Sequence, residues 1–98
     1  MINELKNTPP SIDFGFGILQ KNAAVGEQFT VWMSTMYNPY KGPEASIPPI
    51  PGIRAVEAIS RFEYNITYLV AGTYELSLNI VRKGQSPLIS NVLILNIV

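Results

Sequence analysis

Tyr68-Leu69-Val70-Ala71-Gly72-Thr73-Tyr74-Glu75-Leu76-Ser77-Leu78 is the stretch on which the fold turns. From Tyr74 onward, apolar residues (Tyr74, Leu76, Leu78, Ile80) alternate with Glu75, Ser77, Asn79 and Val81. A period of two puts the first set on one face of a β-strand. Just upstream, Phe62, Tyr64, Ile66 and Tyr68 alternate in the same way with Arg61, Glu63, Asn65 and Thr67. Two strands are therefore expected, joined by a short corner. Gly72 suits that corner because a residue without a Cβ accepts positive φ. Tyr74 can bury its ring while its hydroxyl reaches a carbonyl.

The spacing Gly72-x-Tyr74-x-Leu76 resembles the tyrosine corner of immunoglobulin-like (Ig-like) sandwiches. There a Tyr bonds back to the backbone two residues before the second Cys of antibody domains. Leu76 stands at that Cys position. Residues 66 to 81 also resemble the C-terminal half of PKD-type Ig-like domains, with Tyr68, Gly72, Tyr74, Leu76 and Leu78 on the pattern. The Trp-x-Phe-Gly-Asp-Gly type motif of those domains is absent, and a proline-rich loop lies near its place. The resemblance thus implies the Ig-like superfamily without PKD membership. The expected fold is all-β, an antiparallel Ig-like β-sandwich of about seven strands, with Gly72, Tyr74 and Leu76 as its defining residues.

Outward from the corner, Ile12, Phe14, Phe16 and Ile18 alternate with Asp13, Gly15 and Gly17. A turn at Val25-Gly26-Glu27 precedes Phe29, Val31 and Met33, which alternate with Thr30, Trp32 and Ser34. Arg82 to Pro87 reads as a hairpin loop, and Ile89 to Val98 as a final strand. Residues 53 to 59 fit either a strand or a short helical turn. Residues 1 to 10 read as a polar arm before a single domain at 11 to 98. Residues 38 to 52 hold five of the eight prolines. A stiff loop, partly of polyproline type, is expected there, because proline has no ladder donor.

At 98 residues the chain is near the common size of one domain. Seven Lys and Arg balance seven Asp and Glu. A net charge of zero gives no long-range attraction to phosphate, so nucleic acid is not an expected partner. Only 14% of residues are charged, against about 25% in a typical soluble domain. Some apolar surface is therefore expected to meet a partner.

No Cys is present, hence no disulfide framework or thiol chemistry. No His is present either, which removes the commonest acid–base group and leaves Ser without a His partner. The acids Glu4, Asp13, Glu27, Glu44, Glu57, Glu63 and Glu75 are scattered, without Asp-x-Asp spacing for calcium. Gly15-Phe16-Gly17 lacks the remaining glycine of a phosphate loop. No catalytic, cofactor-binding or metal-ligating residue is expected, and the chain is read as no enzyme. Residues 1 to 6 resemble no signal peptide, and the apolar run from Leu88 to Val98 is too short to span a bilayer. We expect synthesis in the cytoplasm and no membrane partner. A chain opening at Met1 reads as a complete small gene product, an excised domain being the alternative.

Three features exceed what a solitary sandwich needs. Val92, Ile94 and Val98 make the last strand apolar opposite the core face of Leu93, Leu95 and Ile97. That face is covered by the arm or loop, or is a subunit interface. Trp32 falls opposite Phe29, Val31 and Met33, and is covered by the loop or free for a partner. The loop itself offers Tyr40, Lys41, Ile47 and Ile50. The Ig-like resemblance extends to accessory modules of bacteriophage heads and tails. It implies a non-catalytic structural protein, a decoration protein bound in many copies to a phage capsid or tail and so located in the virion. The alternative is a carbohydrate- or cell-surface-binding module with Trp32, Tyr37 and Tyr40 as stacking residues. A small inhibitor presenting the proline-rich loop is a third reading.

Overall fold

A computed structural model describes residues 9–33, 45–60, 62–81 and 84–98. The described residues form ten strand segments and no helix. In chain order these are β1 (Ile12–Asp13), β2 (Gln20–Ala23), β3 (Gln28–Met33), β4 (Ala45–Ser46) and β5 (Arg54–Ser60). They continue as β6 (Glu63–Tyr68), β7 (Gly72–Leu76), β8 (Asn79–Ile80), β9 (Leu88–Ile89) and β10 (Leu93–Ile97). The result is a β-sandwich-like, all-β architecture.

One sheet has the order β1-β3-β6-β5 and is antiparallel throughout. A second has the order β2-β10-β7, with β10 antiparallel to β7 and parallel to β2. A third, β4-β8-β9, continues it, since β8 follows β7 and β10 follows β9 after short breaks. The breaks centre on Ser90. Its amide donates to the Leu78 carbonyl at 2.9 Å, and its hydroxyl accepts from the Leu78 amide at 2.8 Å. A side chain thereby takes a ladder position that a backbone group would otherwise fill.

The core forms where inward residues of the sheets meet. Val31, Ile66, Tyr68, Leu78, Ile80, Leu93 and Leu95 are fully buried. Burying each such side chain contributes roughly 1.5–3 kcal/mol. Leu93, Leu95 and Ile97 form the core face of β10, as their alternation requires.

Three sequence expectations change. Of the two readings of residues 53 to 59, the strand is found from Arg54 onward as β5, while Ile53 closes the turn before it. The strand expected through Ile18 stops at Asp13. The Asp13 carboxylate accepts the Gly15 amide at 2.8 Å and the Gly17 amide at 3.0 Å, folding the chain into a turn. Alternation alone could not reveal this, because the competing bonds are local and polar. Finally, the proline-rich segment is not loop throughout. Ala45 and Ser46 pair with Ile80 and Asn79, and Ile50 bridges to Arg54.

Candidate partner-binding surfaces

The corner at residues 69–76 rests on Tyr74. Its hydroxyl donates to the Val70 carbonyl at 2.7 Å. Its ring lies 4.4 Å, centroid to centroid, from that of Tyr68. A Cβ on Gly72 would come to 3.3 Å from the Tyr74 ring and hydroxyl. Glycine at 72 therefore leaves room for the ring that closes the corner. Leu76 is buried at 1% exposure and belongs to the core.

At the start of β5, a buried cation ties loop to sheet. Arg54 is only 8% exposed. Its Nε donates to the Pro48 carbonyl at 3.2 Å, a second guanidinium nitrogen donates to the same oxygen, and a third donates to Tyr68 Oη at 3.0 Å. The guanidinium carbon stands 5.8 Å from the centre of the Tyr68 ring. Arg54 thus holds the Pro48–Ile53 turn against the core; its planar fork suits three donations at once.

The outward face of the first sheet follows from register. Trp32 lies opposite Asp13 on one side and Glu63 on the other. Thr30 pairs with Asn65 and donates to its side chain at 2.9 Å. Asn65 pairs in turn with Glu57, and Gln28 with Thr67, which faces Ala55. This face carries three carboxylates and no Lys or Arg among the described residues. Trp32, 44% exposed, is its one aromatic side chain.

Next to it, the turn at 14–17 presents Phe16. This residue is fully exposed and sits at φ +53°, a left-handed conformation that costs a side chain other than glycine about 1 kcal/mol or more. Besides the two Asp13 bonds, Phe14 N donates to Ile18 O at 2.9 Å and Ile18 N to Gly15 O at 3.0 Å. Four hydrogen bonds therefore hold an aromatic ring in water. Ile18 and Leu19 follow, each 51% exposed. Sequence reading placed Phe16 in a core face; the Asp13-x-Gly15-x-Gly17 spacing was the available signal for a turn.

The other expected contact residues are dispersed. Val92 and Val98 are exposed and Ile94 is half-buried on the outward side of the last strands. Asn96 shares that side, so the apolar row is interrupted. Ile89, at 55% exposure, extends it toward β9. Ile50 is at the margin of exposure, its backbone bonded to Arg54. Ile47 is 3% exposed and belongs to the core. It is therefore unavailable to a partner, its side chain being drawn inward beside the short strand β4. Tyr37, Tyr40 and Lys41 lie outside the described residues, as does the arm before Pro9.

Among the described residues, no three His, Cys, Asp or Glu side chains gather where they could hold a metal ion, and no helix is long and apolar enough to cross a membrane. Neither a family model, nor a curated protein, nor a solved structure matches the chain.

Proposed function

We propose that the chain is a non-catalytic, Ig-like structural protein that docks in many copies on a larger assembly, as a decoration protein of a phage capsid or tail does. The Ig-like part of this reading is supported by pairing order. With β1, β3, β5 and β6 as strands A, B, D and E, the first sheet has the order A-B-E-D. With β4, β7–β8 and β9–β10 as C, F and G, the opposite layer has the order C-F-G. The Tyr74 hydroxyl bond lies at the E–F corner, where that fold keeps its tyrosine.

The observation that carries the docking role is Phe16. A turn that spends four hydrogen bonds and a strained backbone to hold a phenyl ring in water does nothing for the isolated domain. It is accounted for if the ring enters a pocket on a partner, as aromatic anchors do. Exposed Ile18, Leu19, Ile89, Val92 and Val98 and the zero net charge also suit a chain that ends packed against others.

The test is particle composition. Virions purified from the source culture should contain the chain at tens of copies per particle by quantitative mass spectrometry. Phe16→Ser should detach it while leaving its melting temperature unchanged or higher. Particles lacking the chain would refute this role.

One observation favours a second reading, carbohydrate binding. Trp32 offers a ring face between Asp13 and Glu63, two acceptors suited to sugar hydroxyls. A glycan array decides between them: binding lost in Trp32→Ala would establish the second reading in place of the first.

A further inference from the structure

We propose that the edge of β5 left unpaired among the described strands is a strand-addition site that takes an extended segment of a partner protein with Lys or Arg opposite Glu57. This goes beyond the assembly role and holds whatever surface Phe16 contacts.

Arg54 gives both its backbone groups to Ile50: its amide donates at 2.8 Å, and its carbonyl accepts at 3.0 Å. Ile50 lies on the side of β5 away from β6. Antiparallel strands alternate between residues bonded to the partner and residues bonded outward. Ile53, whose carbonyl accepts the Leu69 amide at 2.8 Å, has the opposite phase to Arg54. Ala55 and Glu57 consequently bond to Thr67 and Asn65 of β6, while Val56 and Ala58 point their N–H and C=O groups outward. No other described strand pairs with that edge.

An edge this open is usually shielded by brevity, proline or lysine. β5 runs for seven residues, contains no proline, and exposes Ala55, Glu57, Ala58, Ile59 and Ser60. It is limited at one end by Ile50 and at the other by the register shift between Ala58 and Ser60. The open window therefore centres on Glu57 and accepts about five residues of a partner strand.

Charge selects the occupant. A second copy pairing antiparallel across this window would place Glu57 against its own counterpart, and like charges directly opposite are destabilising. The same outward face carries Glu63 and Asp13, with no compensating Lys or Arg among the described residues. A heterologous strand with a basic residue opposite Glu57 meets the opposite situation. Its neighbouring residues, one on each side, would share the face of Val56 and Ala58, where an apolar side chain beside Val56 extends the partly buried surface against the core.

The probe is the capped pentapeptide Thr-Val-Lys-Val-Thr, titrated into the full chain and followed by backbone amide NMR. Shifts are expected at Val56 and Ala58, with affinity roughly fivefold or more above that of the Thr-Val-Glu-Val-Thr peptide. Glu57→Lys should invert that preference. Ala58→Pro should abolish binding, because its lost N–H faces away from β6 and its own ladder is untouched. Should that variant unfold, N-methylation of both valines in the probe removes the same bonds from the peptide side and should abolish binding to the unaltered chain. Equal affinity for the two peptides, shifts confined to other strands, no binding at millimolar peptide, or a wild-type dimer that Ala58→Pro dissolves would each overturn the proposal.

Discussion

Tyr74 shows what one side chain contributes and how to separate its parts. The hydroxyl of the half-buried ring donates to Val70 O at 2.7 Å, with a second, long contact to Ala71 O at 3.5 Å. Such a bond is worth about 0.5–1.5 kcal/mol net, since water offers a substitute in the unfolded chain. Tyr74→Phe should therefore lower unfolding free energy by about 1 kcal/mol, with the ring contact to Tyr68 preserved. Leu76→Ala, two residues on, removes a side chain buried at 1% exposure and should cost about 2–5 kcal/mol. Urea denaturation with an unchanged slope reads both values. If Tyr74→Phe costs as much as Leu76→Ala, the corner is held by more than one bond and its packing. Arg54 stands at the other extreme, where a full charge is buried on neutral oxygens alone among the described residues. Nothing in its flanking residues, Ile53 and Ala55, signalled this from sequence, because Pro48 and Tyr68 reach it only through the fold.

Strands were legible where one face is buried and the other wet. β3 and β6 read directly: Phe29, Val31, Met33 and Tyr64, Ile66, Tyr68 are buried while their neighbours are not. β2 was invisible, because Gln20-Lys21-Asn22-Ala23 offers a single buried residue, Ala23. It is held as a strand by its parallel ladder to β10, a long-range partner that no local pattern encodes. Phe16 failed for the opposite reason, although its neighbour Phe14 packs against the core as expected. Both are strongly apolar, yet Phe14 packs edge-on against Phe29 while Phe16 is turned out by Asp13. Hydrophobicity specified burial for both, and for Phe16 the Asp13 carboxylate, capturing the amides of Gly15 and Gly17, decided otherwise. The same limit applied to contact residues. Val92 and Val98 follow from alternation on the last strand, whereas Ile47 was misplaced because a two-residue strand has no period to read. The open edge of β5 could not be foreseen, since it depends on which neighbour a strand lacks.

At the scale of the whole molecule, Tyr64 joins the layers through a titratable group that burial perturbs. Tyr64 lies in β6 of the first sheet, and its hydroxyl donates to the Ala45 carbonyl of β4 in the opposite layer at 3.2 Å. Burial raises its pKa above the ordinary value of about 10, because a phenolate would be desolvated there. The linkage follows from proton counts. Below pH of about 10, native and unfolded chains both hold this proton, and the contribution to stability is complete. As pH rises past that value, the unfolded chain releases its proton first, so the unfolded state gains. Stability therefore falls with pH, by at most about 1.4 kcal/mol per unit for one group, until the native phenol also ionises. Urea midpoints between pH 8 and 11.5 should decline at the alkaline end. In Tyr64→Phe the neutral-pH stability should drop by about 1 kcal/mol through the lost bond to Ala45, but the alkaline decline should be shallower. Wild-type and Tyr64→Phe curves that run parallel across this range would mean that the joint between the layers does not titrate. The alkaline loss would then have to arise from repulsion among surface charges, which added salt would screen and which a buried phenol would resist.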